Sequence, residues 1–206
     1  MRFTIVIPSY LGAYQHAASN RETKLIRAID SCLAQTFTDF DIMVVADGCE
    51  KTFNLVADSY PDNDNVDCIL IRKQELWSGS PRNYGINKAK GEYIIYLDAD
   101  DYYGPDHLSI VNNELIEYHN PDWVWYNDLL KRRDGTYHER QILIDQRFQN
   151  GTSNICHKRN LVLNWNGRGY GLDDWGVVQQ LTRYPKKVKI KTPQYFVCHT
   201  QQGLDI

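Results

Sequence analysis

Three carboxylates stand close together in this sequence, at Asp98, Asp100 and Asp101, directly after an apolar segment. That segment, residues 93–97, follows a glycine and is rich in aromatic and β-branched residues, which predicts a strand buried on both faces of a sheet. The acids then lie at its carboxyl end, where ligands bind in open α/β sheets. Carboxylate oxygens at such a position suit a hard divalent cation such as Mg²⁺ or Mn²⁺. Acidic turns after strands also serve as helix caps and solvated loops, so the spacing alone leaves both interpretations open.

Other polar side chains follow predicted strands in the same way. Tyr10 follows the first strand and Asp47 follows the second, while Asp173 and Asp174 come after a glycine-rich segment, residues 167–171. Asp47 alone could equally be the N-cap of a helix. The carboxyl ends of parallel strands meet at one edge of a sheet, so the pattern predicts a site assembled there from distant parts of the chain.

The elements that position these residues alternate between strands and helices in the first half of the chain. Strands are predicted at residues 3–7, 41–46, 66–71 and 93–97. The segments between them have helical periodicity; Ser19 with Glu22 forms a capping box, and Ser80-Pro81 begins a helix that ends at Gly91. This alternation predicts a mostly parallel sheet flanked by helices, an α/β fold. A hairpin signal at residues 132–136 predicts mixed or antiparallel structure in the second half.

Composition places the chain among globular proteins. With 206 residues, of which 42% are hydrophobic, it is long enough for one sizeable core, and we expect a single domain over residues 1–206. No apolar run is long enough to span a membrane, and the early first strand predicts no signal peptide. A net charge of −3 argues against a nucleic-acid partner. The five cysteines are scattered without a CxxC pair, so we expect a reducing, cytoplasmic setting. The basic residues of segment 183–191 are a solvated face or a contact to a phosphate-bearing or membrane-associated acceptor.

Taken together, these motifs resemble the family 2 glycosyltransferases of the GT-A fold. The similar segments are IVIPSY at 5–10, VVADG at 44–48, GSPRNYGINKAKGEYIIYLDADD at 79–101 and GLDDW at 171–175. The resemblance implies a Rossmann-like sheet and an enzyme that transfers a sugar from a nucleotide diphosphate sugar, usually a UDP-sugar, with inversion of the anomeric centre. It covers residues 1–130 well and residues 131–206 more loosely, which implies a nucleotide-binding half at about 1–101 and an acceptor-binding half at about 102–206.

The resemblance also implies roles for single residues. Pro8, Tyr10, Asp47, Arg82 and Asp98 would bind the nucleotide-sugar, with Tyr10 against the base, Asp47 hydrogen-bonded to it and Asp98 on the ribose or sugar. The remaining positions serve the reaction: Asp100 and His199 would bind Mn²⁺ or Mg²⁺, Asp174 would be the general base, and Asp173 and Trp175 would contact the acceptor. On residue type alone, His199 is as easily structural and Trp175 as easily part of the core.

The chain departs from the family pattern at three positions. Leu11 stands where an asparagine is common, and an inserted stretch, residues 12–18, follows it. Ala46 replaces the first of two adjacent acids, which leaves Asp47 to act alone, and Asp173 is shorter than the usual glutamate. The QxxRW motif of processive synthases is absent from the sequence, so we expect a single-addition enzyme.

Two other classes remain open on the sequence. A sugar nucleotidyltransferase has a similar sheet with acids, although it usually begins with a glycine-rich phosphate loop, whereas residues 8–12 contain one glycine. A non-catalytic nucleotide-sugar-binding module is disfavoured because the arginine, the DxD motif and the base are all present. The expected partners are a nucleotide-sugar donor and a glycan, lipid-linked or protein-linked acceptor; a homodimer and peripheral membrane attachment are left open.

Overall fold

The computed structural model describes residues 1–14, 17, 19–73, 78–132, 134–147, 149, 151–166 and 172–198, without the side chains of Thr152, Leu172 and Asp173. The first half of the chain contains β1 Phe3–Ser9, α1 Arg21–Leu33, β2 Phe40–Asp47, α2 Glu50–Ser59, β3 Val66–Ile71, α3 Gly79–Lys88, β4 Tyr93–Tyr96 and β5 Tyr102–Tyr103. The second half contains α4 His107–Glu117, β6 Trp123–Trp125, β7 Asp128–Lys131, β8 Tyr137–Arg140, β9 Ile155–Lys158, α5 Leu172–Leu181, β10 Lys187–Lys189 and β11 Tyr195–Val197. No helix within these described ranges is both long and apolar enough to cross a membrane.

The larger sheet has the strand order β10-β6-β9-β4-β1-β2-β3. Its neighbours run parallel except for β9, which is antiparallel to both β4 and β6. This arrangement confirms the predicted mostly parallel α/β sheet. Because β1 is parallel to β2 on one side and to β4 on the other, the residues that follow these three strands lie along one edge of the sheet.

A smaller sheet, ordered β5-β11-β7-β8, lies beside the acidic turn. Strand β5 begins at the residue after Asp101, and β11 pairs with it in antiparallel register, Tyr195 opposite Tyr103. Strands β7 and β8 form the predicted antiparallel hairpin, with Lys131 opposite Tyr137. The second half is therefore mixed rather than purely parallel, as expected.

Two apolar cores cover the two faces of the larger sheet. The first contains residues from β1, β2 and β4 packed against α1, α2 and α4. The second contains Val6, Ile94 and Tyr96 packed against α3 and α5. Helix α3 approaches the sheet closely at Gly85, where a Cβ atom would lie 2.5 Å from Cγ1 of Val6, so only glycine permits this approach. The second core thus brings α3 and α5, which carry Arg82 and Asp174, to the same face of the sheet.

Two helix boundaries differ from the sequence predictions. The capping box at Ser19 is wrong: the N-cap of α1 is Asn20, which makes no side-chain cap hydrogen bond, and the carboxylate of Glu22 is instead paired with the ammonium of Lys51. Helix α3 ends at Lys88 rather than Gly91, with Ala89 as its C-cap in extended geometry. At the first boundary Glu22 is engaged by Lys51, and at the second the N–H groups of Lys90 and Gly91 donate to the Thr4 hydroxyl instead of continuing the helix.

Candidate active site

The segment that follows strand β1, residues 10–14, is held by Arg21, the first residue of α1. Pro8 lies within β1, and Tyr10 follows it with its ring 6.4 Å from that of Tyr14. Arg21 donates hydrogen bonds to the carbonyl oxygens of Tyr10 at 2.8 Å and Gly12 at 2.9 Å, and its guanidinium lies 4.7 Å from the Tyr14 ring. The described part of the inserted segment is therefore attached to the start of α1 through Arg21.

Asp47 ends β2 and forms an ion pair that the sequence did not predict. Its residue is only 3% exposed, and its Oδ2 accepts a hydrogen bond from the ammonium of Lys73. That ammonium also lies 4.2 Å from the centre of the Tyr10 ring, within cation–π range. Gly48 makes the arrangement possible: its φ is +64°, and a Cβ there would lie 2.3 Å from Cβ of Lys73.

Lys73 thus contacts both Tyr10 and Asp47, the two residues that the resemblance assigns to binding the base of the nucleotide. The sequence feature that could have predicted this contact is the position of Lys73 just after β3, since β3 is parallel to β2 with Ile71 opposite Asp47. A basic residue there lies at the same edge of the sheet as the acid of the neighbouring strand.

Arg82 and Asp98, predicted independently, are in direct contact. Arg82 is 2% exposed, and its Nη2 donates to Oδ1 of Asp98 at 2.6 Å. Its Nη1 donates to the hydroxyl of Ser78, and its guanidinium lies 5.1 Å from the centre of the Trp165 ring. The side chain of Asp98 is 32% exposed, so its carboxylate is oriented by a buried cation while it remains accessible.

The remaining acids of the 98–101 turn have separate roles. Asp101 N–H donates to the carbonyl of Asp98 at 3.0 Å, and the carbonyl of Asp100 accepts from Nη2 of Arg27 at 2.5 Å. Both contacts fix the backbone of the turn. The Asp100 residue as a whole is half-buried at the edge of the sheet.

Asp101 is a structural residue rather than a third accessible acid. It is 1% exposed, and its two oxygens accept from the Tyr195 hydroxyl at 2.5 Å and from the Cys198 backbone N–H at 2.7 Å. Burial, followed by the nearby charges of Asp100 and Asp98, raises the pKa of this carboxyl well above its ordinary value. The cluster of three carboxylates seen in the sequence is therefore reduced to two, and Asp101 joins the turn to the end of β11.

The predicted acceptor side is described only in part. Asp174 and Trp175 lie in the first turn of α5 and are both half-buried. The side chain of Asp173 and the whole of His199 lie outside the described residues, as does segment 167–171. The assignments of these residues stay predictions.

The acidic turn is compatible with a divalent cation, although it does not form a complete site. Within the described part of the chain, no group of three or more His, Cys, Asp or Glu side chains could hold a metal. Asp100 has the right chemistry for such a cation, a hard carboxylate oxygen, and Oδ1 of the neighbouring Asp98 accepts from Arg82. A cation there would need ligands beyond this chain's described side chains, such as diphosphate oxygens.

The chain is similar in sequence to known glycosyltransferases. Residues 4–164 match the profile of glycosyl transferase family 2. An uncharacterized glycosyltransferase of Rickettsia typhi is 36% identical over 123 residues, 60% of this chain and 35% of that protein. GlyA of Streptococcus pneumoniae, a glycosyltransferase, is 23% identical over 176 residues, 85% of this chain and 24% of that protein. The chain thus spans about a third or less of the length of these relatives.

A solved structure supports the fold. The crystal structure of Staphylococcus aureus TarS 1–349 in complex with UDP-GlcNAc matches with a TM-score of 0.75 at 16% identity, covering 98% of this chain and 59% of that one. This likeness confirms the predicted GT-A type of sheet. Because the family profile matches well over half of the residues, the resemblance stated from the motifs is also confirmed. The chain belongs to glycosyl transferase family 2.

Proposed function

We propose that this chain is the catalytic part of an inverting glycosyltransferase that moves a sugar from a UDP-sugar to a hydroxyl group of an acceptor. The main support is that the pair Arg82–Asp98 and the group of Tyr10, Asp47 and Lys73 lie along the same edge of a parallel sheet. In this proposal, residues of about 1–101 bind the donor and residues of about 102–206 bind the acceptor within a single domain. The acceptor is a glycan or a lipid- or protein-linked group.

The group around Asp47 has the hydrogen-bonding pattern that uracil requires. Uracil carries an N–H donor flanked by carbonyl acceptors, and a buried carboxylate beside an ammonium offers an acceptor next to a donor. Pro8 and the Tyr10 ring provide a surface against which the base stacks. The ammonium of Lys73 lies over the Tyr10 ring, so in this proposal it would move aside for the base to stack there. The TarS structures, with UDP in one and UDP-GlcNAc in another, are compatible with this donor class.

Arg82 and Asp98 would then hold the part of the donor that lies beyond the base. The guanidinium is fixed by Ser78 and Trp165 and orients the carboxylate of Asp98 toward the ribose or sugar hydroxyls. Asp100, together with His199, would hold Mn²⁺ or Mg²⁺ on the diphosphate. A divalent cation in that place supplies Lewis-acid stabilisation of the leaving group.

The general base of the proposed reaction is Asp174. The acceptor hydroxyl must lose its proton as it attacks, and inversion requires the accepting carboxylate on the face opposite the leaving diphosphate. Asp174 is half-buried in the first turn of α5, so its carboxylate is partly accessible there. Asp173 and Trp175 are assigned to acceptor contacts beside it.

The replacement Asp174→Asn tests the proposal. We expect kcat to fall by about 10²- to 10⁴-fold, the usual contribution of a general base, because the amide has no basic oxygen of comparable strength. The dissociation constant for UDP, measured by calorimetry with Mn²⁺, should stay within about twofold because Asp174 belongs to the acceptor side. The matched control is Asp64→Asn, an exposed aspartate before β3, which should behave as the wild type.

Three outcomes contradict the proposal in different ways. Normal turnover of Asp174→Asn would show that Asp174 is not the general base. UDP-sugar binding without transfer to any acceptor in a broad panel would favour a binding module. Release of pyrophosphate from UTP and a sugar 1-phosphate would favour a nucleotidyltransferase.

A further inference from the structure

The side-chain amides of Asn83 and Gln180 connect α3 and α5 through the backbone of residues 164–165, and the side-chain amide of Asn164 adds one bond to Asn83. The three residues are far apart in the sequence. Asn83 and Gln180 lie on the two helices, and Asn164 lies in the segment between β9 and the described start of α5. None of the three was singled out as a candidate from the sequence.

Asn83 attaches this segment to the donor side. Its Oδ1 accepts from Trp165 N–H at 2.8 Å, and its Nδ2 donates to the Trp165 carbonyl at 2.9 Å and to Oδ1 of Asn164 at 2.9 Å. The packing is close, because a Cβ at Gly79 would lie 3.0 Å from the Trp165 carbonyl oxygen. Asn83 directly follows Arg82, whose guanidinium lies against the Trp165 ring. The segment at residues 164–165 is therefore fixed to the helix that orients Asp98.

Gln180 attaches the same segment to α5. Its Oε1 accepts from Asn164 N–H at 2.9 Å, and its Nε2 donates to the Asn164 carbonyl at 2.7 Å. The same Nε2 also donates to the Gly176 carbonyl at 3.1 Å, one turn earlier in the helix. Asn164 is thus held through its backbone at two points, as in the pairing of two strands.

We infer that this amide relay positions α5, and with it Asp174, relative to the donor held by Arg82 and Asp98. The inference rests on the proposed function, since it takes Asp174 as the general base. Helix α5 packs into the second core through Val177, Val178 and Leu181, and apolar contacts alone are non-directional and tolerate small sliding or rotation. Hydrogen bonds with two fixed donors and two fixed acceptors remove that freedom.

Gln180 is accordingly a positioning residue that acts through Asp174. A misplacement of a reacting group by about 1 Å can cost about 10²-fold in rate.

The test compares Gln180→Met with Gln179→Met. Both replacements remove an amide from α5, but Gln179 is exposed and its side chain lies outside the relay. We expect Gln180→Met to lower kcat by about 10- to 100-fold, while the KM for the donor and the dissociation constant for UDP change by less than about twofold. Gln179→Met should keep wild-type values. A kcat for Gln180→Met within about twofold of the wild type would overturn the inference.

A double variant separates positioning from general loosening of the fold. If Gln180 acts through Asp174, Asp174→Asn with Gln180→Met should be no slower than Asp174→Asn alone, because residues that act as a unit are not additive. An equal loss from Gln180→Met in both backgrounds would overturn the relay but leave Asp174 as the base. Normal turnover of Asp174→Asn, by contrast, would contradict the proposed function itself.

Two additional variants cover the case in which Gln180→Met does not fold. Gln180→Glu keeps the acceptor for Asn164 N–H and loses the donor, so a smaller loss of kcat is expected from it. Asn164→Ala removes only the hydrogen bond from Asn83 to Oδ1 of that residue; Asn83 keeps its two bonds to the Trp165 backbone and Gln180 its two bonds to the backbone of residue 164, so kcat should stay nearly wild-type. Wild-type kcat in Gln180→Glu, or a large loss in Asn164→Ala, would each contradict a relay that runs through this backbone.

Discussion

Replacing Lys73 is the sharpest test of how the base of the nucleotide is recognised. In the free protein its ammonium touches both the Asp47 carboxylate and the Tyr10 ring, so two opposite effects on nucleotide binding are conceivable. If Lys73 donates to a base carbonyl, its removal weakens binding. If it merely occupies the place of the base, its removal strengthens binding.

The expected change in affinity for UDP follows from the solvent exposure of Lys73 and Asp47. A hydrogen bond to a charged group contributes about 1.5–3 kcal/mol when it is well buried. The Lys73 side chain is 50% exposed, whereas that of Asp47 is 5% exposed, so solvent screening places the contribution near the lower end. About 1.4 kcal/mol corresponds to a tenfold change in affinity. We therefore expect Lys73→Met to raise the dissociation constant for UDP about tenfold.

The assay is calorimetric titration of UDP and CDP with the wild type, Lys73→Met and Lys90→Met. Lys90 is the matched control, since its ammonium is 4.0 Å from a carboxylate of Asp67 on the surface. CDP carries an amino group where UDP has a carbonyl, so Lys73→Met should reduce the preference for UDP over CDP. Unchanged or tighter UDP binding by Lys73→Met would refute the proposed role of this ammonium.

Two further predictions concern stability. Burial lowers the pKa of His157 from 6.5 to about 4, and its neutral ring is hydrogen-bonded to the Tyr96 hydroxyl at 2.7 Å. The unfolded chain therefore binds the extra proton first, so this stabilisation is complete above about pH 6.5 and is lost toward pH 4. Between pH 8 and pH 5 the wild type should lose about 2 kcal/mol more in urea unfolding than His157→Gln does, and equal losses would contradict a buried neutral histidine. Asp101→Asn should lower the free energy of unfolding by about 1–3 kcal/mol, because one amide oxygen cannot serve both the Tyr195 hydroxyl and the Cys198 N–H. Urea unfolding would measure this loss of stability, with Asp64→Asn as the control. An unchanged unfolding midpoint in Asp101→Asn would show that the Tyr195 hydroxyl and the Cys198 N–H find other acceptors.

Local patterns were sufficient to predict most of the larger sheet and the family. Strands β1, β2 and β4 are short apolar runs with clear boundaries, and a strand buried on both faces needs no alternation to be recognised. Strand β3 lies at the edge of the sheet and is only partly buried. The order of these strands, β4-β1-β2-β3, was not predicted, because right-handed crossovers are compatible with more than one order. The position of Asp98 and Asp100 after β4 was nonetheless readable from the sequence.

Local sequence patterns did not predict the helix boundaries or the number of accessible acids correctly. Ser19 and Glu22 match a capping box, but Glu22 is paired with Lys51 from α2, a competing partner that no local signal reveals. Asp101 looks like a third metal-binding acid, yet it is buried because its partners arrive from β11, 94 and 97 positions later.

What the sequence by itself determined was the class of chemistry, because acids after apolar strands and the motifs of residues 79–101 are local properties. What only the tertiary structure decided was which side chains meet. The contact of Lys73 with Asp47, the packing of Trp165 on Arg82 and the link from Asn83 through Asn164 to Gln180 all join distant segments. Such contacts arise when apolar faces of several elements are buried together, and that packing sets the register of the hydrogen bonds between them.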